Sequence, residues 1–144
     1  MEPPPAAFPS GAGGLVSTAS DFVAFARMLL GRGALGDVRV LSERSVEAMT
    51  HDQLTPAQRS ASDSVPMFLG ERGWGFGVSV FTGRGRGVAV PGAYGWDGGL
   101  GTWWCTDPSR GLIALLFTQR GMNSPEPDPI PTDFFDRVGP FDGG

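Results

Sequence analysis

The chain has 144 residues, 40% of them hydrophobic, with 23 Gly, 13 Pro and a net charge of −4. That is one domain of ordinary size with extensive loops, and the acidic balance argues against a general nucleic-acid binder, which carries a basic face. No apolar run approaches the roughly 20 residues of a membrane helix, and lone Cys105 excludes an internal disulfide or a multi-cysteine metal site.

The start, MEPPPAAFPSGAGG, lacks the apolar block of a signal peptide, so the chain as it stands reads as cytoplasmic. Residues 1–16 read as an extended entry segment. In STASDFVAFARMLLGRG, Thr18 and Asp21 have capping-box spacing. Phe22, Phe25, Ala26, Leu29 and Leu30 then recur at helical spacing, and Gly31 is the expected stop, which predicts a helix over 19–30. LSERSVEAMT predicts a shorter helix with Ser42 as N-cap and Val46 and Met49 facing inward. Residues 51–73 read as an irregular polar loop.

WGFGVSVF alternates Phe76, Val78 and Val80 against smaller residues, a strand pattern. TGRGRG reads as a turn, and VAVPG as a short strand limited by Pro91. The stretch YGWDGGLGTWWCTDPSRGLIALLFTQR predicts a hairpin, with one strand over 99–106, a turn at DPSRG and a return strand LIALLFTQ. Leu112–Phe117 does not alternate with polar residues, so helices are expected on both faces of an antiparallel sheet. DFFDRV reads as the start of a last helix, halted by GPFDGG. The fold class is α+β, an antiparallel sheet with flanking helices.

Several motifs carry a chemical reading beside a plainer one. GRGALG (31–36) matches a dinucleotide-binding glycine pattern but follows a helix end, so it reads as a stop and turn. GRGRG (83–87) reads as a solvated hairpin tip. His51-Asp52 permits a Ser–His–Asp triad by composition, yet no G-x-S-x-G elbow accompanies it, and no second His supports a metal site. Cys105, between Trp104 and Thr106 in mid-strand, reads as a packed residue rather than a nucleophile. YGWDGGLG is the strongest candidate site. Gly98 and Gly99 let a ligand approach the backbone, Trp96 offers an apolar wall and Asp97 a polar contact. A glycine bulge packed by Trp accounts for the same residues equally well.

SGAGGLVSTASDFVAFARMLLGRG, LSERSVEAMT, GWGFGVSV and YGWDGGLGTWWCTDPSRGLIALLFTQR, in this order, resemble the C-terminal half of the serine β-lactamase-related family. That family includes class C β-lactamases, penicillin-binding DD-peptidases and similar esterases, and the likeness covers about residues 10–136. It implies a single partial domain of the β-lactamase/transpeptidase-like fold without cofactor or metal. It also implies that Trp96-Asp97-Gly98 stands where the family has K-T-G, H-x-G or W-x-G on the strand lining the site. The Gly99 N–H would then be one of two oxyanion donors. Substrates of the complete protein would be small-molecule esters, lactams or peptides. Trp96 in place of a cation, together with Asp97, would disfavour anionic ones, making an esterase or peptidase more plausible than an efficient lactamase.

Two family elements are missing. All eleven basic side chains are Arg, so S-x-x-K has no Lys. The sole Asn, Asn123, has Gly121 two residues before it, so the Tyr/Ser-x-Asn element is absent too. The expectation is the back half of a serine hydrolase, inactive alone because a Ser hydroxyl is a weak nucleophile without an adjacent base. An exposed apolar sheet face or edge and self-association are expected with it. The alternatives are a non-catalytic small-molecule or peptide binding module, a degenerate structural fragment, and a self-contained hydrolase using His51.

Overall fold

The computed structural model describes Phe8 and residues 15–61, 72–83, 87–122 and 129–138. Helix α1 spans Ala19–Leu30. The Thr18 hydroxyl accepts from the Asp21 N–H at 3.1 Å and donates to its carboxylate at 2.8 Å. Ala26, Met28 and Leu29 are buried.

The helix ends where expected but by a different residue. The Gly33 N–H bonds the Met28 carbonyl and the Arg32 N–H bonds the Leu29 carbonyl. This is a Schellman motif whose left-handed position is Arg32, at φ 52°, not Gly31. Gly31 is held instead by close packing, since a Cβ there would lie 2.3 Å from the Ala34 carbonyl oxygen.

A two-residue ribbon, β1 (Ala34–Leu35) with β2 (Val38–Arg39), leads to α2 (Glu43–Thr50), capped by Ser42 as predicted. Val46 is buried and Met49 packs against the same cluster. The predicted loop over 51–73 contains structure at both ends, with 62–71 outside the described residues. Thr55 and Gln58 form a reciprocal capping box, each accepting from the other's N–H, and start α3 (Pro56–Ala61).

Five antiparallel strands follow in sequential order: β3 (Arg72–Trp74), β4 (Ser79–Phe81), β5 (Tyr94–Gly98), β6 (Thr102–Asp107) and β7 (Leu112–Phe117). The predicted continuous strand WGFGVSVF is broken in two. Gly77 adopts φ 88°, the Gly75 N–H closes on the Val78 carbonyl at 2.9 Å, and Phe76 sits 61% exposed at the turn. VAVPG is no strand either, being folded back by bonds from Val90 to Val88 and from Ala93 to Val90. The strand predicted over 99–106 begins at Thr102, because residues 99–101 are the loop after β5. The TGRGRG turn lies partly outside the described residues.

Helices cover both faces of the sheet, as the unalternating β7 implied. On one face α1 and α2 meet Val78, Val80, Tyr94 and Trp104, with Ile113 and Leu115 packed alongside. Phe22 meets the Trp104 ring edge-on at 5.4 Å. On the other, α4 (Pro129–Val138) sets Phe134 and Phe135 beside Cys105, Ala114 and Leu112. β7 alternates between the two clusters, which is why both its faces are apolar. The fold is α+β, an antiparallel sheet with flanking helices.

Candidate functional site

The Trp96-Asp97-Gly98 triplet ends β5, in register with Trp104, Trp103 and Thr102 of β6. Past Gly98 the chain turns within three residues. Gly101, at φ 92°, donates its N–H to the Gly98 carbonyl at 3.0 Å, the arrangement of a three-residue hairpin loop with its last residue left-handed.

Chain from the end of β7 staples this loop. The Thr118 N–H donates to Gly101 at 2.8 Å and the Met122 N–H to the Gly99 carbonyl at 2.9 Å. Gly99 is thereby fixed through its oxygen. Among the described residues no hydrogen bond occupies its N–H, and a Cβ built on it would meet nothing within 4 Å. A ligand atom could therefore approach this backbone closely, as oxyanion stabilisation requires.

Trp96 and Gly98 point to the α1 face of β5, and Asp97 to the other. Trp96 is 39% exposed, although Tyr94 and Trp104 beside it are buried. Its ring meets Trp74 edge-on, with centroids 4.9 Å apart and planes at 80°. Trp74, which the sequence reading did not single out, is held by its N–H to the Asp52 carboxylate at 3.0 Å.

Asp97 is already engaged. Arg72 of β3 reaches across β4 and ion-pairs with it at 2.7 Å, its guanidinium lying 4.7 Å from the Phe81 ring centroid. The pairing balances the Asp97 charge, which weakens the expected repulsion of an anionic substrate. The Trp96 side of that expectation, no cation within the triplet, is unchanged.

The other candidate groups are elsewhere engaged. Asp52 serves the fold rather than His51. Burial would raise its pKa, but the N–H groups of Trp74 and Leu54 and the Arg59 guanidinium outweigh this and hold it below the usual value. His51 is exposed at the end of α2, and among the described residues no hydrogen bond joins it to Asp52. Burial pushes the Cys105 thiol up to about 12, with Arg72 the largest opposing influence, so it is no thiolate nucleophile at neutral pH. Ser79 lies opposite Gly95 in the strand register but is 1% exposed, donating its hydroxyl to the Gly95 carbonyl at 3.1 Å. Tyr94 is likewise sealed, and burial first, then Cys105, lifts its phenol to about 12.

Among the described residues no helix is long and apolar enough to cross a membrane, and no group of three or more His, Cys, Asp or Glu could hold a metal ion.

The Beta-lactamase family model matches residues 1–132. Over 128 residues the chain is 44% identical to Protein Rv1367c of Mycobacterium tuberculosis strain ATCC 25618 / H37Rv, and equally to the uncharacterized protein MT1414 of strain CDC 1551 / Oshkosh. Each match covers 83% of this chain and 32% of the relative, so the chain spans about a third of the length of the curated relatives it matches. Unliganded simvastatin synthase, LovD, from Aspergillus terreus superimposes with a TM-score of 0.59 at 22% identity, covering 82% of this chain and 32% of that one. Its LovD6 mutant gives 0.58 at 23%, covering 80% and 30%. The likeness to these solved structures concerns the fold. The family is given by the family model, which matches nearly the whole chain: the chain belongs to the Beta-lactamase family.

Proposed function

We propose that this chain supplies the substrate-lining strand and one oxyanion donor of a serine hydrolase acting by acyl transfer on esters or peptides, and that it does not catalyse alone. The observation carrying this reading is Gly99, at the end of the Trp96-Asp97-Gly98 strand, fixed through its carbonyl with its N–H unoccupied among the described residues. In acyl transfer such a donor is worth about 100- to 1000-fold in rate. It needs an attacking group, and the chain has neither Lys for S-x-x-K nor Tyr/Ser-x-Asn. The serine beside the strand, Ser79, is buried with its hydroxyl committed. The test is hydrolysis of p-nitrophenyl acetate by the purified chain. The expected rate is that of buffer, unchanged by His51→Ala; sustained turnover, lost in that variant, would replace this reading with a self-contained hydrolase.

The half-exposed Trp96 favours a second reading, a binding module without chemistry. Here a longer form carrying S-x-x-K decides. Gly99→Pro removes the N–H and is expected to lower its ester turnover about 100-fold or more on the acyl-transfer reading, whereas a binding module has no turnover to lose.

A further inference from the structure

We infer that Trp74 and Trp96 together form a subsite for the apolar acyl or aryl group of a ligand whose carbonyl lies at the Gly99 backbone, with Trp74 a specificity-determining residue. The inference rests on the reading of Gly99 as donor and adds the substrate class. Two flat rings meeting at 80° form a corner rather than a stack. A planar or chain-like apolar group placed in the corner touches both indoles at once, gaining contact area that neither wall offers alone.

The corner is also held in place. The strand register fixes Trp96, opposite Trp104 of β6. The backbone of Trp74 is fixed twice, its N–H donating to Asp52 and its carbonyl accepting from Gln53 at 2.8 Å. Asp52 is itself anchored by the Leu54 N–H and by Arg59. A rigid wall loses little freedom on binding.

Charge points the same way. The triplet's one ionisable group, Asp97, lies on the face opposite Trp96 and is neutralised there by Arg72, two residues from Trp74 on β3. Between corner and Gly99 lies Gly98, which has no side chain of its own and is flanked by the small Thr102 hydroxyl, 2.6 Å from where a Cβ would stand. Trp96 and Gly98 are two residues apart on one strand face, about 7 Å. That spacing suits an apolar group attached directly to the carbonyl carbon or one or two bonds beyond it.

The experiment measures binding to the full 144-residue chain by saturation-transfer NMR and calorimetry. The probe is 4-phenylbutan-2-one, an unreactive carbonyl compound bearing an aryl group; butan-2-one, which lacks the ring, is the control. The wild-type chain is expected to bind the aryl ketone saturably and at least tenfold more tightly than butan-2-one. Trp74→Ala and Trp74→Leu should each lose about tenfold, with Trp74→Phe restoring most of it. Far-ultraviolet circular dichroism and melting temperature confirm that each variant is folded, and the Leu variant serves if Ala is not. If folded Trp74 variants bind like wild type while Trp96→Ala does not, Trp74 is no part of the site, although the triplet reading stands. Equal affinity for the two ketones overturns the aromatic subsite altogether. Failure of the acyl-transfer reading appears separately, in the ester assay.

Discussion

A Cβ built on Gly95 would lie 1.9 Å from the Trp104 carbonyl oxygen and 2.9 Å from the Cys105 Cα, both backbone atoms of the paired strand that cannot step aside. Gly99, four residues on, has open space around it and no left-handed φ. Of two glycines in one motif, the first is thus required by packing and the second is not. Gly95→Ala must push β5 off β6 and is expected to cost about 2–3 kcal/mol, whereas Gly99→Ala should leave stability within about 0.5 kcal/mol. Urea denaturation of the two variants measures the contrast, and equal losses would contradict the packing argument. The glycine richness of YGWDGGLG is plain in the sequence. Which glycine packs, which turns and which is open is not, because that depends on strands paired across the sheet. The same holds for Asp97: its type is legible, but its partner Arg72 lies 25 positions earlier and meets it only once β3, β4 and β5 are side by side.

At the scale of elements, the β6–β7 hairpin is locked by a buried charge. Asp107 is fully buried at the end of β6, its carboxylate accepting from the Ser109 N–H at 2.8 Å, the Ser109 hydroxyl at 2.6 Å and the Arg110 guanidinium. Burial alone would raise its pKa, but the Ser109 and Arg110 hydrogen bonds outweigh it and hold the value below the ordinary 3.8. A folded-state pKa below the unfolded one contributes stability that is full above about pH 5 and lost as pH falls through the folded value. Asp107→Asn is therefore expected to cost about 1–3 kcal/mol at pH 7, with the deficit shrinking below about pH 4. Denaturation curves at pH 7 and pH 3.5 test this, and a deficit equal at both would remove the charge from the account. This turn was legible because its signals are local: Asp, Pro and Gly sit at fixed offsets, and Gly111 takes the expected left-handed φ of 65°. Helices α1 and α2 were legible for the same reason. The short α3 carries an equally local signal, a Thr-Pro-Ala-Gln capping box with Pro at its first position, but it lies inside a polar stretch without apolar periodicity. WGFGVSVF misled because Phe76, Val78 and Val80 alternate by coincidence across a turn. A Cβ on Gly75 would lie 1.8 Å from the Met49 carbonyl oxygen, so α2 presses on the chain where a straight strand would run.

For the whole molecule, the decisive feature is where the sheet stops. Among the described residues β7 is an edge strand six residues long, LIALLF, with no charge and no Pro, and both its faces are apolar because each meets a different helix cluster. Phe117 at its end is 44% exposed, and Phe25 of α1 is 41% exposed on the same side as the Phe22–Phe117 ring contact. An edge of this length and composition offers a row of backbone donors and acceptors to any further strand. We propose that, in solution at micromolar concentration, the isolated chain covers this edge by self-association. Sedimentation velocity is expected to show a mass that rises with concentration. Phe117→Lys, which places a charge at the half-exposed end of the strand and gives up only the edge-on contact with Phe22, should shift the distribution toward monomer without unfolding it. The substitution separates two causes of association. If Phe117→Lys leaves the distribution unchanged while the wild-type chain still associates, the contact lies elsewhere, and a wild-type chain that stays monomeric and melts cooperatively at every concentration shows the edge to be adequately protected by its own helices.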